Sequence, residues 1–418
     1  MSTSLARRPA VITMVAAACL MAALAAVLVP WSWVPGGRLV AIPVGDLFSP
    51  AEVRRAESYA AVQRLLAWTS YGLSMVLLLV LGLTRAGGRL ARRVAPRRWW
   101  CAVPTTALVV ELLQLLVTMP FAAAAHHVDV QHGLSDQAWS GWALDQAKGL
   151  LVSWLATSLL LLVLVGCARR APRWWFAWAG GAALVLSLAG SFLYPVVVEP
   201  LFNSFTPLPA GPLRTSVFAL AAREGVHVDD VLVADASRRT TTLNAYVSGF
   251  GRTRRVVVYD TTLKALTPAE TRVVIAHELG HAKNNDVAVG TAIGAVGAVA
   301  ACALLALLLD ADPLRRRSGT EGANDPAAVA LVLALVAVGG FLVSPAQNTV
   351  SRAFEARADR ESIIATGDGP TFVRMQRQLA LRSLADPTPP MLSQLWWGTH
   401  PTVLQRAGLP SSMRAARR

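Results

Sequence analysis

Two histidines four residues apart enclose a glutamate in the run His277-Glu278-Leu279-Gly280-His281. On a helix, positions i and i+4 share one face, so both imidazoles reach one zinc ion and Glu278 projects beside it. Zinc there supplies a Lewis acid and lowers the pKa of a water towards neutrality. Glu278 takes the proton from that water and passes it to a leaving amine. The chemistry implied is hydrolysis of an amide bond. A helix over 267–284 is predicted from its start signals: Thr267 as N-cap, Pro268 at the first position and Glu270 completing a capping box. A catalytic zinc needs a third protein ligand and an open position. The best candidate is Glu355, in the run Ser351-Arg352-Ala353-Phe354-Glu355-Ala356-Arg357-Ala358-Asp359. Asp359, four residues on, shares its helical face and is spaced to accept the free N–H of one histidine. An ordinary amphipathic surface helix with a Glu–Asp pair has the same pattern, so spacing alone leaves both readings open.

The elements that must position these residues are set by composition. Of 418 residues, 54% are hydrophobic and 15% charged, against roughly 25% charged in an average soluble domain. The apolar residues run in charge-free stretches long enough for the ~20-residue span of a bilayer. A soluble fold is excluded. Seven spans are predicted, at about 10–34, 65–84, 100–121, 149–168, 174–197, 287–309 and 327–345. The N-terminal run, preceded by Arg7 and Arg8, is long for a signal peptide and reads as an uncleaved first span. Between and after the spans lie two polar blocks, about 200–286 and 346–418. Strands are expected at 227–234 and 254–259. The sixth and seventh spans form a hairpin, so both blocks lie on one side of the membrane and can build one site. Gly290, Gly294, Gly297, Gly339 and Gly340 in that hairpin suit close helix packing.

Other polar residues weigh less. Glu111 and Gln114 share a face of the third span, as a hydrogen bond between helices or a cavity-lining pair. His126, His127 and His132, with Asp129 and Asp136, form a second cluster in the loop after that span; a metal site there lacks evident helical or hairpin geometry, and the better reading is a solvated loop or the wall of an intramembrane chamber. His227 reads as structural. The four cysteines fall in or beside apolar runs with no Cys-x-x-Cys pair, so neither a thiolate metal site nor a disulfide framework is expected. The net charge of +14 comes largely from arginine runs beside the spans, the pattern of topology determinants meeting anionic headgroups rather than of nucleic-acid binding.

The order of the motifs is more selective than any one of them. Tyr194-Pro195, Pro200-Leu201-Phe202-Asn203-Ser204-Phe205-Thr206-Pro207-Leu208, Asn244-Ala245-Tyr246, His277 to His281, Ser351-Arg352 with Glu355 to Asp359, and Thr399-His400-Pro401 follow one another with a membrane hairpin separating the metal helix from Glu355. In these stretches the chain resembles the integral-membrane CAAX prenyl endopeptidases, a family of gluzincin-type zinc metallopeptidases, from about residue 132 to Arg406. The resemblance implies one zinc ion per chain on His277, His281 and Glu355, with Glu278 as base. It implies His400 as hydrogen-bond donor to the tetrahedral oxyanion, and Asn244, with the strand after it, as a binder of substrate backbone. The family's basic residue six positions after the histidine falls on Arg406, expected to contact substrate. Glu199 replaces a small apolar residue usual in the family, and the N-terminal spans match loosely, which bears on substrate rather than chemistry. Only three lysines accompany the many arginines, as in a GC-rich bacterial source, where prenylated substrates are not expected.

The expected fold is therefore an all-α polytopic membrane protein of about seven transmembrane helices, with a mainly helical zinc-metalloprotease domain bearing a small β-sheet. The expected organisation is a membrane domain at 1–199, a first metalloprotease part at 200–286, a transmembrane hairpin at 287–345 and a C-terminal metalloprotease part at 346–418. The expected partners are a peptide or protein substrate, membrane-associated or misfolded, and the lipid bilayer, with no nucleic acid. A transporter or a catalytically silent receptor on the same scaffold are the competing readings. With a cytoplasmic N-terminus, the inside loops hold fourteen basic residues and the opposite short loops five. The positive-inside rule then puts the zinc site on the extracytoplasmic face, whereas eukaryotic members of the resembled family would have it facing the cytosol.

Overall fold

The computed structural model describes residues 3–34, 38–249 and 254–416. The membrane part starts with α1 (Thr3–Leu28), α2 (Pro50–Leu83), a short α3 (Arg85–Val94), α4 (Trp99–Gln131), α5 (Trp139–Arg170) and α6 (Trp175–Leu193). A π-turn at Tyr194–Val198 carries α6 into α7 (Glu199–Phe202). The polar block follows as β1 (Phe205–Pro207), α8 (Pro212–Arg223), β2 (Asp230–Ala234), β3 (Ala245–Ser248), β4 (Arg255–Tyr259), α9 (Asp260–Ala265) and α10 (Pro268–Lys283). The chain then crosses with α11 (Asp286–Leu309), turns through α12 (Asp312–Ser318) and returns as α13 (Val329–Thr366). It ends with α14 (Gly369–Ser383), α15 (Met391–Trp397) and α16 (Val403–Ala415).

Among the described residues, seven helices are long and apolar enough to cross a membrane, the number expected. Their outer faces show that lipid is their solvent: Val185, Phe192 and Val196 along the fifth, and Leu116 on α4, are all exposed. Charge-free windows underestimate how far these helices run. At 1.5 Å per residue the 33 residues of α4 extend about 50 Å and the 38 of α13 about 57 Å, against an apolar bilayer core of about 30 Å. The surplus projects from the membrane and carries polar residues with it. The boundary expected at 345 therefore falls inside a single helix, and His126, His127 and His132 sit on or just past the last turns of α4 rather than in a loop.

The hairpin also departs from expectation. Helix α11 packs along α1 and α6, and α13 along α2, so the two arms splay apart. Four of the five hairpin glycines do not mediate close packing, as a Cβ at Gly290, Gly294, Gly339 or Gly340 would meet nothing within 4 Å. Gly297 does, with the Met21 sulfur 3.0 Å from that position. Close approach comes instead at Gly82, where a Cβ would lie 2.5 Å from Ala334 and 2.8 Å from the Ala330 carbonyl. Small residues recur through membrane spans, and pattern alone does not say which of them face a neighbour.

The sheet has the order β1-β2-β4-β3, with β2 and β4 parallel and the outer pairs antiparallel. The two expected strands are β2 and β4, while three-residue β1 and four-residue β3 are too short to carry a period-two signal. On one face, Val231, Val256 and Val258 pack with Val217 of α8, Ile275 and Leu279 of α10, Phe372 and Met375 of α14 and Leu409 of α16. This core fixes α10 against the sheet and leaves β3 as the strand at its edge.

Candidate metal centre

Helix α10 begins as its sequence requires. The Thr267 hydroxyl accepts from Glu270 N (3.3 Å), and the Glu270 carboxylate accepts from Thr267 N (2.9 Å). With the start pinned, the four-residue spacing brings the His277 and His281 rings within 4.8 Å of each other, nearly perpendicular at 84°. Their Nε2 atoms lie 3.2 Å apart. Gly280 lets a second helix approach, since a Cβ there would lie 3.3 Å from both Ala358 Cα and Glu361 Cβ of α13. That close crossing delivers Glu355, whose Oε2 is 3.3 Å from His277 Nε2 and whose Oε1 is 3.5 Å from His281 Nε2.

These separations fit a metal. A tetrahedral ion with ligands at about 2.0–2.1 Å sets its ligand atoms about 3.3 Å apart. Glu355 Oε2 is buried and makes no hydrogen bond of good geometry, although His277 Nε2 and His400 Nε2 lie 3.3 and 3.1 Å away, which leaves a lone pair for a metal. His277, His281 and Glu355 are the one group of this kind among the described residues. The local field favours a cation. Burial alone would lower the His277 pKa, but the Asp359 and Glu355 carboxylates overcome it and raise it to about 10.

Each histidine is backed by a carboxylate, and each carboxylate by an arginine. Asp359, almost fully buried, has Oδ1 2.9 Å from His277 Nδ1. Arg406 grips it bidentately, donating from Nε to Oδ2 (2.8 Å) and from Nη2 to Oδ1 (2.6 Å). Arg406 was expected to contact substrate; its guanidinium is buried and committed to Asp359. On the other side, His281 Nδ1 is 2.8 Å from Asp286 Oδ2, and Arg357 donates to Asp286 Oδ1. The sequence reading missed Asp286 and Arg357. The available signals were an acidic residue opening an apolar span and an arginine inside the Glu355 motif. What turns Asp286 back to the histidine is Asn285, in the left-handed region at φ 52, which breaks α10 from α11.

Glu278 stands beside this cluster. Among the described residues none donates a hydrogen bond to it, so its lone pairs are open to water. Burial raises its pKa above the usual carboxylate value, against the pull of His277 and His281. His400 arrives from the C-terminal block, its Nε2 3.1 Å from Glu355 Oε2 and its side chain half exposed. Helix α13 holds it there: Arg352 donates to the carbonyls of Gly398 (2.6 Å) and Gln394 (3.0 Å), and Asn348 to that of Trp396 (2.6 Å). Asn244 has an exposed side chain at the start of β3. Its backbone is pinned, its N–H donating to Thr262 Oγ1 (2.9 Å) and its carbonyl accepting from that hydroxyl (2.8 Å).

The remaining candidates disperse. His126 stacks on Trp142 with Trp139 edge-on, His132 Nδ1 reaches the Val128 carbonyl at 2.8 Å, and Asp129 accepts from Tyr59 and Gln63. Gln114 donates to Ser74 Oγ at 2.9 Å, a bond between helices.

Comparison with known proteins agrees with this geometry. Residues 40–204 match the family described as CAAX prenyl protease N-terminal, five membrane helices, and residues 207–408 match peptidase family M48. The chain is 30% identical over 366 residues to the uncharacterized metalloprotease YhfN of Bacillus subtilis, covering 86% of each. It is 31% identical over 249 residues to a CAAX prenyl protease 1 homolog of Oryza sativa, covering 58% of each. Its fold superposes on the crystal structure of S. mikatae Ste24p with a TM-score of 0.76 at 19% identity, over 97% of this chain and 98% of that one.

Proposed function

Because the chain belongs to peptidase family M48, as a multi-pass membrane metalloprotease related to the CAAX prenyl proteases, we propose that it is a zinc endopeptidase with one ion held by His277, His281 and Glu355. The observation that carries this reading is the convergence of three ligand atoms at tetrahedral separations, from a buried His277 and the partly buried His281 and Glu355. Zinc in that position would polarise the scissile carbonyl and acidify a water. Glu278 accepts the proton of the attacking water and returns it to the leaving amine. His400 donates its ring N–H to the oxyanion as the carbonyl carbon becomes tetrahedral. Asp359 and Asp286 hold the two imidazoles in the tautomer that leaves Nε2 free, and Arg406 and Arg357 orient those carboxylates. Substrate lies extended along the free edge of β3, its backbone paired to the strand and oriented by Asn244.

An edge strand reads backbone rather than a lipid group, which favours unfolded or membrane-associated polypeptide as substrate. The protease is split in sequence, with residues 200–286 and 346–418 joined through the 287–345 hairpin and carried by the 1–199 membrane domain. We place its site on the extracytoplasmic face, because the arginine-rich loops gather at the opposite ends of the spans. A transporter or a silent receptor would leave the intact metal cluster and its two supporting carboxylates without a task.

The deciding experiment is Glu278→Gln. Zinc content and fold should be unchanged while peptide hydrolysis falls by roughly 100- to 10,000-fold, the usual contribution of a general base. Wild-type turnover in that variant would sink the mechanism. Sidedness is tested separately by a reporter after Arg418, where alkaline phosphatase should be active and a cytoplasmic fluorescent protein dark; the reverse result would move the site to the cytosol.

A further inference from the structure

The loops at the membrane face opposite the metal centre hold a cavity that the proteolytic reading does not use. They join the C-terminal ends of α2, α5 and α11 to the N-terminal ends of α4, α6 and α13. They are tied together by bonds from Arg92 Nη2 to the Gly319 carbonyl (3.1 Å) and from Arg169 Nη1 to the Asn324 carbonyl (3.1 Å). Beneath them lies a cavity of about 530 Å³ lined by Arg92, Arg97, Arg98 and Arg169 with Trp99 and Trp100. Arg98 lies over the Trp100 ring at 5.6 Å and Arg169 over Trp99 at 5.5 Å, which holds both guanidinium planes at the rim with most of their N–H donors free. Asp325 is the acidic side chain of the lining. Its oxygens are taken by the backbone N–H groups of Ala327 (2.9 Å) and Glu321 (3.1 Å). Among the described residues, none of the four arginines has a carboxylate within ion-pair distance.

A neighbouring cavity makes the contrast. It is larger, about 1010 Å³, but three acids, Asp310, Asp312 and Glu321, line it beside the three arginines Arg7, Arg8 and Arg315, and Arg315 pairs with Asp310 and Asp312. Four cations facing one acid, at the boundary where apolar helices meet water, call for an external anion. Guanidinium groups recognise phosphate bidentately. The tryptophans, with the exposed Leu155, Leu159 and Leu160 of α5 deeper along the same spans, suit acyl chains. We propose that this cavity binds the phosphate headgroup of an anionic phospholipid, clamping α3, α4 and the α5 end to one leaflet.

The test uses the full-length protein in neutral detergent, with phosphatidylglycerol or phosphatidylcholine added and bound lipid counted by native mass spectrometry. Phosphatidylglycerol should be retained and phosphatidylcholine lost. The double variant Arg98→Gln/Arg169→Gln should weaken phosphatidylglycerol binding by about ten-fold or more, the scale of one or two lost arginine–phosphate contacts. Arg8→Gln/Arg315→Gln, in the balanced cavity, should leave it unchanged. If the double variant fails to fold, Arg97→Gln, exposed and without a hydrogen bond or ion pair among the described residues, should still weaken binding measurably. Equal retention of both lipids, or undiminished binding in these cavity variants, would overturn the proposal. So would inorganic phosphate binding as tightly as the lipid, which would make the ligand a free anion.

Discussion

The two ends of this membrane protein treat charge in opposite ways. At the metal end, buried carboxylates are matched inside the chain, Asp359 by Arg406 and Asp286 by Arg357, and the exposed Lys283 still pairs with both Glu224 and Glu361. At the far end Arg315 pairs with Asp310 and Asp312, but Arg85, Arg89, Arg92, Arg93, Arg97, Arg98, Arg169, Arg170 and Arg173 have no carboxylate within ion-pair distance among the described residues. A buried charge without a partner costs several kcal/mol, so the metal end must satisfy its charges internally and gains fixed geometry by doing so. An arginine at the membrane surface stays hydrated at little cost and remains available to headgroups. Internal pairing thus marks where position matters, and its absence marks where the partner is the surroundings.

The largest effects should come from breaking the matched end at its centre. Glu355→Ala removes one of three protein ligands, so bound zinc and peptide hydrolysis should both disappear. His400→Ala should keep the metal and lose about 100-fold in rate, the typical cost of an oxyanion donor. Metal analysis and turnover on both variants separate the roles, and the reverse pattern would exchange them.

Next in size are the supports. Arg406→Gln leaves Asp359 buried beside His277 without its guanidinium and should destabilise the fold by about 3–5 kcal/mol. Asp286→Asn removes only the anchor of His281 and should weaken zinc binding by about 10- to 100-fold, read by competition with a chelator. Equal zinc affinity in Asp286→Asn and wild type would show that His281 is held by the helix alone.

These supports also show what the chain's order hides. His277, Glu278 and His281 are legible because their relation is local: one helix, one face, one capped start. The seven spans are legible because twenty apolar residues have a single use. Glu355 is reachable through the sequence of motifs, and Asp359 through its four-residue offset. Asp286 and Arg357 meet 71 positions apart, brought together by a left-handed residue and a helix crossing that no periodicity records. Four of the five hairpin glycines escape the sequence for a related reason. Gly290 and Gly339 look like packing residues, yet only the partners chosen by α11 and α13 decide whether a neighbour is there.

The smallest effect sharpens the comparison most. Arg93 on α3 and Arg173 beside α6 are exposed and lack internal ion pairs. In neutral detergent, Arg93→Gln and Arg173→Gln should therefore leave zinc content and hydrolysis unchanged and shift the melting temperature by less than about 2 °C. In vesicles rich in anionic lipid the same variants lose a headgroup contact, and the melting temperature gained on moving from detergent should shrink. Arg406→Gln must behave in the opposite sense, destabilised equally in both settings because its partner travels with the protein. Thermal melts of the three variants in the two environments test this. If Arg93→Gln and Arg173→Gln are destabilised in detergent as strongly as Arg406→Gln, these arginines hold internal partners after all, and the contrast between the two ends fails.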